Sequence, residues 1–323
     1  MRKNILLTLL LIVLAAAVAE ARPPLRMNPD GKFKIVQFTD LHYNANHSAA
    51  KEPIELIKET LADEKPDLVV FTGDVVTMQP ALEGWDAVLA PVEAAGAEWA
   101  VVFGNHDDEK DKSRTEIMEH IMRKPHCRAS KGPDNIKGVG NYTLEILAGD
   151  SLDFLLYFMD SNAYPAIEGF KGYGWFEFNQ IEWYRNLSRE YAARNGGRPA
   201  KALAFFHIPL NEYAEMTAAR KKIVGMKNEN ECPGAINTGM FAAMRSCGDV
   251  TATFVGHDHD NDYIGSHNGI ILAYGRFSGA KNTYTHMIHG ARIIELSKGE
   301  RNFQTRIRLR GGSIINKVNS SEL

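Results

Sequence analysis

Polar residues able to bind metal ions recur in this chain directly after short apolar runs. They stand at five places, in the order Asp40 and His42, Asp74, Asn105 with His106 and Asp107, His207, and His257 with His259. Imidazole nitrogens mixed with carboxylate and amide oxygens suit Zn, Mn or Fe, whereas Ca²⁺ takes oxygen ligands. The residue types therefore predict a site for transition-metal ions, provided that the fold brings the five places together.

The apolar runs in the first third of the chain alternate with helical patterns. Strands are predicted at 34–38, 68–71 and 99–103, with helices at 53–64 and 82–94 between them. This alternation predicts a parallel sheet with right-handed crossovers. Because ligand sites assemble at the carboxyl ends of parallel strands, we expect the polar residues to meet at one edge.

The second part of the chain predicts shorter strands. They are expected at 142–147, 154–158, 203–206, 251–255 and 270–274, with a helix at 180–194. Alternating apolar residues at 291–296 and 303–309 indicate antiparallel strands near the C-terminus. Two charged stretches, 107–140 and 217–237, are predicted to be surface insertions.

Local spacing also favours convergence of the polar side chains. Asp40 with His42, like His257 with His259, are separated by one residue, and alternate residues of an extended segment point the same way. A glycine directly precedes three of the polar motifs, which allows the backbone to turn sharply and to approach the site closely.

Each motif is common when it occurs alone, but the five together are distinctive. Asp40-Leu41-His42, Gly73-Asp74, Gly104-Asn105-His106-Asp107, His207 and Gly256-His257-Asp258-His259 resemble the five motifs of the calcineurin-like metallophosphoesterase superfamily. The resemblance covers about residues 33–280, and it is strongest to a branch related to purple acid phosphatases. It implies an α/β fold, namely a four-layer α/β/β/α sandwich of two mixed sheets, with a dinuclear metal site at one edge.

The resemblance also implies a role for each motif residue. One metal ion would be held by Asp40, His42 and His259, the other by Asn105, His207 and His257, and Asp74 would bridge the two. The implied catalytic residues are His106, which would face the substrate and protonate the leaving group, and Asp107, which would support the site from behind the ligands. The implied cofactors are two ions of Mn, Zn or Fe.

One motif departs from the purple acid phosphatases. They carry a tyrosine ligand in a Gly-Asp-x-x-Tyr motif, whereas this chain has Thr77 at that position, and they lack a histidine at the position of His42. The departure implies a first metal site with a histidine ligand rather than an iron–tyrosinate centre.

The implied reaction is hydrolysis of a phosphate ester by a hydroxide that bridges two metal ions. A small phosphomonoester is the expected substrate. Two alternatives stay open: a phosphodiesterase acting on cyclic nucleotides, nucleic acid or lipid headgroups, and a binding module that keeps the fold without turnover.

The N-terminus predicts export. Arg2 and Lys3 precede an apolar run at 5–18 that is too short for a membrane-spanning helix of ~20 residues, and small residues at 19 and 21 suit a signal peptidase. Residues 1–21 are therefore predicted to be a signal peptide and 22–323 a single catalytic domain, with no membrane span after cleavage; the alternative is an uncleaved anchor. The expected location is secreted or periplasmic.

Composition limits the partners. The chain has 37 Lys and Arg against 40 Asp and Glu, for a net charge of −3, which provides no footprint for nucleic acid. Its three cysteines leave two possibilities in an oxidising compartment: a disulfide between Cys232 and Cys247, or three unpaired thiols with Cys127.

Overall fold

The computed structural model describes residues 22–281 and 283–323, and the predicted signal peptide lies outside these described residues. The strands are β1 (Leu25–Arg26), β2 (Lys32–Phe38), β3 (Leu68–Thr72), β4 (Trp99–Val102), β5 (Tyr142–Ala148), β6 (Ser151–Phe158), β7 (Ala202–Phe205), β8 (Ile223–Val224), β9 (Val250–Val255), β10 (Ile264–His267), β11 (Ile270–Tyr274), β12 (Gly290–Ser297), β13 (Phe303–Leu309) and β14 (Ile314–Asn319). The helices are α1 (Lys51–Glu64), α2 (Ala81–Ala94), α3 (Arg114–Ile121), α4 (Phe178–Arg194), α5 (Asn211–Ala218) and α6 (Met240–Cys247), followed by a 3₁₀ turn at Ser320–Glu322.

The strands form two mixed sheets. The six-stranded sheet has the order β14-β13-β12-β2-β3-β4, in which β2, β3 and β4 run parallel. The eight-stranded sheet has the order β1-β5-β6-β7-β9-β11-β10-β8, in which β6, β7, β9 and β11 run parallel. Each sheet therefore presents a set of parallel strand ends, while antiparallel strands complete its edges.

The alternation of side chains along β6 shows how the layers stack. Phe154, Leu156 and Phe158 belong to the core shared with the six-stranded sheet. Leu155 and Tyr157 belong instead to a second core with α4, α5 and α6. Because alternate residues of a strand face opposite sides, the eight-stranded sheet is buried on both faces.

The six-stranded sheet is covered in the same way by α1, α2 and α3, whose buried residues share its core. The result is the predicted four-layer α/β/β/α sandwich of two mixed sheets.

The predicted strands and helices are present, but the structure adds elements that the sequence pattern did not reveal. One of them is α3, inside the stretch 107–140. A capping box between Ser113 and Glu116 begins this helix, and its apolar side chains Ile117, Met118 and Ile121 are buried. This predicted surface insertion therefore carries a packed helix. The stretch 217–237 contributes β8, which pairs with β10 at the sheet edge but is too short for alternation to be read.

The cysteine alternatives are resolved by the fold. Cys127, Cys232 and Cys247 are all unpaired, and Cys127 is buried. Between residues 22 and 323, apart from position 282, no helix combines the length and the apolar character needed to cross a membrane.

Candidate metal centre

The candidate ligands lie where the parallel strands of both sheets end. The six-stranded sheet provides Asp40 and His42 after β2, Asp74 after β3 and Asn105 after β4; the eight-stranded sheet provides His207 after β7 and His257 and His259 after β9. None of the seven is more than 7% exposed. We call these seven side chains the floor of the centre. The sequence predicted one sheet edge, whereas two sheets meet here, and Gln37 of β2 donates to the carbonyl of Val255 of β9 at 3.0 Å to join them.

The floor divides into two adjoining ligand groups. Asp40, His42 and His259 form one, and Asp74, His207 and His257 form the other, with ligand atoms within 4.8 Å of one another in each. The groups touch, because Nε2 of His42 lies 3.7 Å from Oδ2 of Asp74 and Nε2 of His207 lies 3.9 Å from Oδ1 of Asp40. The chain thus has two candidate metal sites side by side.

Backbone carbonyls set the tautomers of two floor histidines. Nδ1 of His207 donates to the carbonyl of Thr72 at 2.7 Å, and Nδ1 of His259 donates to the carbonyl of Tyr284 at 2.9 Å. A carbonyl oxygen only accepts, so Nδ1 carries the proton in each ring and Nε2 is left to bind a metal ion.

Unusual backbone conformations aim the ligands. Asp40, His42, Asp74 and His257 all have positive φ, between 44° and 81°. Such left-handed conformations cost about 1–3 kcal/mol each for residues other than glycine and concentrate at functional sites. The expected extended segment through Asp40 and His42 is therefore wrong: two left-handed residues, rather than strand alternation, turn both side chains inward.

Two glycines are required by close approach. A Cβ on Gly104 would lie 2.2 Å from Oδ1 of Asp74, and a Cβ on Gly256 would lie 1.9 Å from Oγ1 of Thr39. Any larger residue would push the loop away from a floor carboxylate or from the threonine that donates to Asp40 at 2.8 Å.

The donor atoms of the floor fit metal ions. Among the described residues, Oδ1 of Asn105 and Nε2 of His257 are buried with no hydrogen-bond partner. Buried polar atoms are normally paired, so these two atoms fit a site built to bind cations. Imidazole nitrogens also face one another, with 3.0 Å between Nε2 of His42 and Nε2 of His259. One cation between His42 and His259 and a second beside Asn105 and His257 would satisfy these atoms.

The electrostatics of the floor point the same way. Burial lowers the pKa of His42 to about 3, and burial together with the neighbouring His207 holds the pKa of His257 well below its usual range. Burial also opposes charge on His207, but the carboxylates of Asp74 and Asp40 raise its pKa to about 9. His42 and His257 are therefore held as neutral imidazoles, the form that binds metals, while the carboxylates attract positive charge, including the proton that a metal ion would displace from His207.

Asp107 faces away from the ligand atoms. Its carboxylate accepts backbone N–H groups of Asp74 at 2.9 Å, Val75 at 2.8 Å, Val76 at 3.2 Å and Gly104 at 2.8 Å. Burial and the nearby Asp74 nevertheless raise the pKa of Asp107 to about 6. Its geometry is that of a clamp that joins the loop after β3 to the loop after β4.

Above the floor lies a more exposed layer of polar and aromatic side chains. We call His106, Glu109, Tyr164 and Tyr284 the rim. The ring of His106 lies 5.5 Å from that of His42, and its Nδ1 donates to Oε2 of Glu109 at 2.7 Å. The hydroxyl of Tyr164 donates to Oε1 of Glu109 at 2.7 Å.

Tyr284 covers the other side. Its ring stacks on that of His259 with 4.3 Å between centroids. Asp260 holds this segment by accepting from the backbone N–H of His286 at 2.7 Å and from Oγ1 of Thr285 at 3.0 Å.

Comparison with known proteins identifies the family. Residues 33–261 match the calcineurin-like phosphoesterase family. The chain belongs to this family. Its link to purple acid phosphatases is also confirmed, because the chain is 34% identical over 288 residues to "Probable inactive purple acid phosphatase 29" of Arabidopsis thaliana, covering 79% of this chain and 74% of that one. It is 32% identical over 329 residues to "Phosphatase DCR2" of Saccharomyces cerevisiae, covering 89% of this chain and 55% of that one.

Solved structures share the fold of this calcineurin-like phosphoesterase. A dimetal phosphatase from Danio rerio superimposes with a TM-score of 0.61 at 14% identity, covering 89% of this chain and 98% of that one. Purple acid phosphatase PPD1 from yellow lupin gives a TM-score of 0.56 at 14% identity, covering 89% of this chain and 53% of that one. At such low identity these likenesses concern the fold alone.

The structure places all the predicted site residues of this phosphoesterase within one centre. It also adds Glu109, Tyr164 and Tyr284, which sequence reasoning missed. For Glu109 the sequence did contain a signal, since this residue lies only three positions after His106. In the structure the N–H of Glu109 donates to the carbonyl of His106 and closes the turn between them. Tyr164 and Tyr284 stand in segments without any motif.

Proposed function

We propose that this calcineurin-like phosphoesterase is a dinuclear-metal enzyme that hydrolyses small phosphomonoesters. The observation that carries the proposal is the pair of adjoining ligand groups beside His106, a histidine whose side chain is 38% exposed. A single metal ion would need three or four protein ligands, whereas the floor offers seven.

The proposed ligand assignment is the one that the family resemblance implies, and the two ligand groups in the structure support it. Asp40, His42 and His259 would hold one ion; Asn105, His207 and His257 would hold the other; and Asp74 would be shared. Mn, Zn and Fe suit this donor set. When bound, two such cations would neutralise phosphoryl oxygens and lower the pKa of a water molecule.

The chain itself contributes the proton that the reaction needs. An alkoxide is a poor leaving group, so its oxygen requires protonation as the P–O bond breaks. His106 is the rim group beside the floor that can supply this proton as an imidazolium, and general acids of this kind contribute roughly 10²–10⁴-fold in rate. No side chain needs to attack phosphorus.

Several relatives carry "inactive" in their names. That description belongs to those proteins. This chain has all seven floor residues together with His106. We therefore favour catalysis over a binding module.

A hydrolysis panel on the chain loaded in turn with Mn, Zn and Fe tests the proposal. We expect alkyl and nitrophenyl phosphomonoesters to be hydrolysed, with activity lost on chelation and restored by metal. Preferential hydrolysis of diesters or cyclic nucleotides would establish a phosphodiesterase instead. No turnover with any metal, although two ions bind, would establish a binding module.

We also propose that the protein is exported. The support is the N-terminal pattern at 1–21, a basic start followed by an apolar run and small residues. Fractionation of the native host, with N-terminal sequencing of the mature protein, is expected to find it outside the cytoplasm and beginning near residue 22. Full-length protein in the cytoplasm would contradict this.

A further inference from the structure

Four side chains form a continuous hydrogen-bonded path that begins in the floor and runs through the rim. Nδ2 of Asn105 donates to the hydroxyl of Tyr164 at 3.4 Å, and that hydroxyl donates to Oε1 of Glu109 at 2.7 Å. The other carboxylate oxygen of Glu109 accepts from Nδ1 of His106 at 2.7 Å. The path joins an amide assigned as a metal ligand to the imidazole assigned as the proton donor.

Glu109 determines which nitrogen of His106 can act. A carboxylate only accepts, so Nδ1 carries a proton and Nε2 becomes the atom available to a substrate. The backbone of His106 is held as well, because its N–H donates to Oδ1 of Asp74 at 2.8 Å. Both the position and the ring orientation of His106 are thus constrained from outside the ring.

The charge of Glu109 suits this arrangement. Burial raises its pKa, but the hydrogen bonds from His106 and Tyr164 outweigh that effect and lower it. An ionised carboxylate next to an imidazole stabilises the imidazolium and holds its tautomer, as in catalytic triads.

Tyr164 comes from a distant part of the chain. It lies between β6 and α4, and its ring stacks on that of Tyr173 with 6.2 Å between centroids. The ring of Tyr173 in turn meets His257 edge-on at 4.1 Å. These ring contacts hold the tyrosine over the floor independently of Glu109.

We propose that Glu109, supported by Tyr164, is a positioning residue that holds His106 ready to protonate the leaving oxygen. This inference rests on the proposed function. As the bond between phosphorus and the ester oxygen breaks, Nε2 of His106 gives its proton to that oxygen, and water supplies the hydroxyl group that ends on phosphorus. Glu109 keeps its charge throughout, and His106 regains its proton from solvent.

The experiment compares Glu109→Ala, Glu109→Gln and Tyr164→Phe with wild type in the zinc-loaded protein. Glu119→Gln is the matched control, because it removes one exposed carboxylate from α3, away from the rim. For each protein we would measure zinc content, kcat and KM with an alkyl phosphate and with nitrophenyl phosphate, and the tautomer of His106 by ¹⁵N NMR.

Glu109→Ala is expected to lower kcat for the alkyl ester ~10–100-fold, an effect as large as that of removing the hydrogen-bonding partner of a metal-ligating histidine. The nitrophenyl ester, whose leaving group needs no proton, should slow much less, while KM and zinc content stay unchanged. Glu109→Gln should recover part of the loss, because its amide oxygen can still accept from Nδ1 but no charge remains to stabilise the imidazolium. Tyr164→Phe should cause a smaller loss of the same kind. In the NMR spectra, the Nδ1–H tautomer should give way to a mixture only in Glu109→Ala.

Equal slowing of both esters, loss of zinc, or an unchanged tautomer in Glu109→Ala would overturn the positioning role. So would a Glu109→Ala enzyme as fast as wild type, and in that case the proposed function would stand. A wild-type protein that hydrolyses neither ester would instead refute the proposed function, and this inference with it.

Discussion

The floor and the rim of the metal centre differ in what holds them. Floor ligands are buried at the ends of two sheets, and their backbones are fixed by left-handed residues and by the clamp of Asp107. Rim side chains stand on loops, and Tyr164 and Tyr284 remain 47% and 52% exposed. A strained backbone conformation persists only where many surrounding contacts hold it in place. We therefore expect the floor to be the more rigid of the two layers.

The difference suggests a division of labour. A rigid floor can hold two metal ions at fixed positions whatever the substrate is. The rim side chains act only in those reaction steps that depend on the substrate, such as protonation of its leaving group. Changes to the floor should therefore affect every substrate alike, whereas changes to the rim should discriminate among substrates.

The largest expected effect tests the floor. Asp74→Asn removes the carboxylate that contacts both ligand groups, so we expect less bound metal and a loss of activity of at least ~10³-fold, about 4 kcal/mol in the activation barrier. The loss should be equal for alkyl and nitrophenyl esters, as measured by metal analysis and kinetics. Asp86→Asn, at a carboxylate on the surface of α2, should leave both unchanged. Activity close to wild type would contradict the role of Asp74 as a ligand shared by two metal ions.

His106→Asn should produce the next largest effect and tests the rim. We expect both metal ions to stay bound, hydrolysis of alkyl esters to fall by ~10²-fold or more, and nitrophenyl esters to lose clearly less. Metal content and kinetics on both ester types provide the measurement, and His120→Asn on α3 is the control. Loss of a metal ion would mean that His106 is a metal ligand. Equal slowing of both esters would mean that it stabilises the phosphoryl group instead.

Asp107→Asn tests the support beneath the floor. An amide oxygen can replace only one side of the carboxylate, so buried N–H groups of Asp74 or Gly104 would lose their acceptor. The free energy of unfolding should fall by about 2–4 kcal/mol. Denaturant unfolding of the metal-free protein provides the measurement, with Asp150→Asn as control because its side chain is fully exposed and its ion pair with Arg26 contributes little. An unchanged midpoint would mean that the clamp contributes nothing to stability.

The smallest effect is expected from iron. Tyrosines near the centre belong to the rim or pack against ligands, and the position of a tyrosine ligand in purple acid phosphatases is occupied by Thr77. The iron-loaded protein should therefore show no strong charge-transfer band in its visible spectrum. A purple protein would show that a tyrosine coordinates iron, and the assignment of all tyrosines near the centre to non-ligand roles would then be wrong.

The predictable part of this molecule is the part encoded by local pattern. Continuous apolar runs at 68–71 and 99–103 indicated buried strands, and the polar residue after each run proved to lie at the metal centre. Two-residue strands such as β1 and β8 were not predictable, because pairing with a neighbour rather than their own sequence makes them strands.

The sequence by itself predicted the seven residues of the floor, their order and the metals that suit them, because the motifs that resemble the family each adjoin a strand that can be recognised locally. Only the tertiary structure decided that two sheets share the floor, that left-handed backbone aims it, and that Glu109 and Tyr164 meet above it. Those two residues are 55 positions apart. A contact between loops so far apart depends on how the sheets stack, and no local periodicity or spacing carries that information.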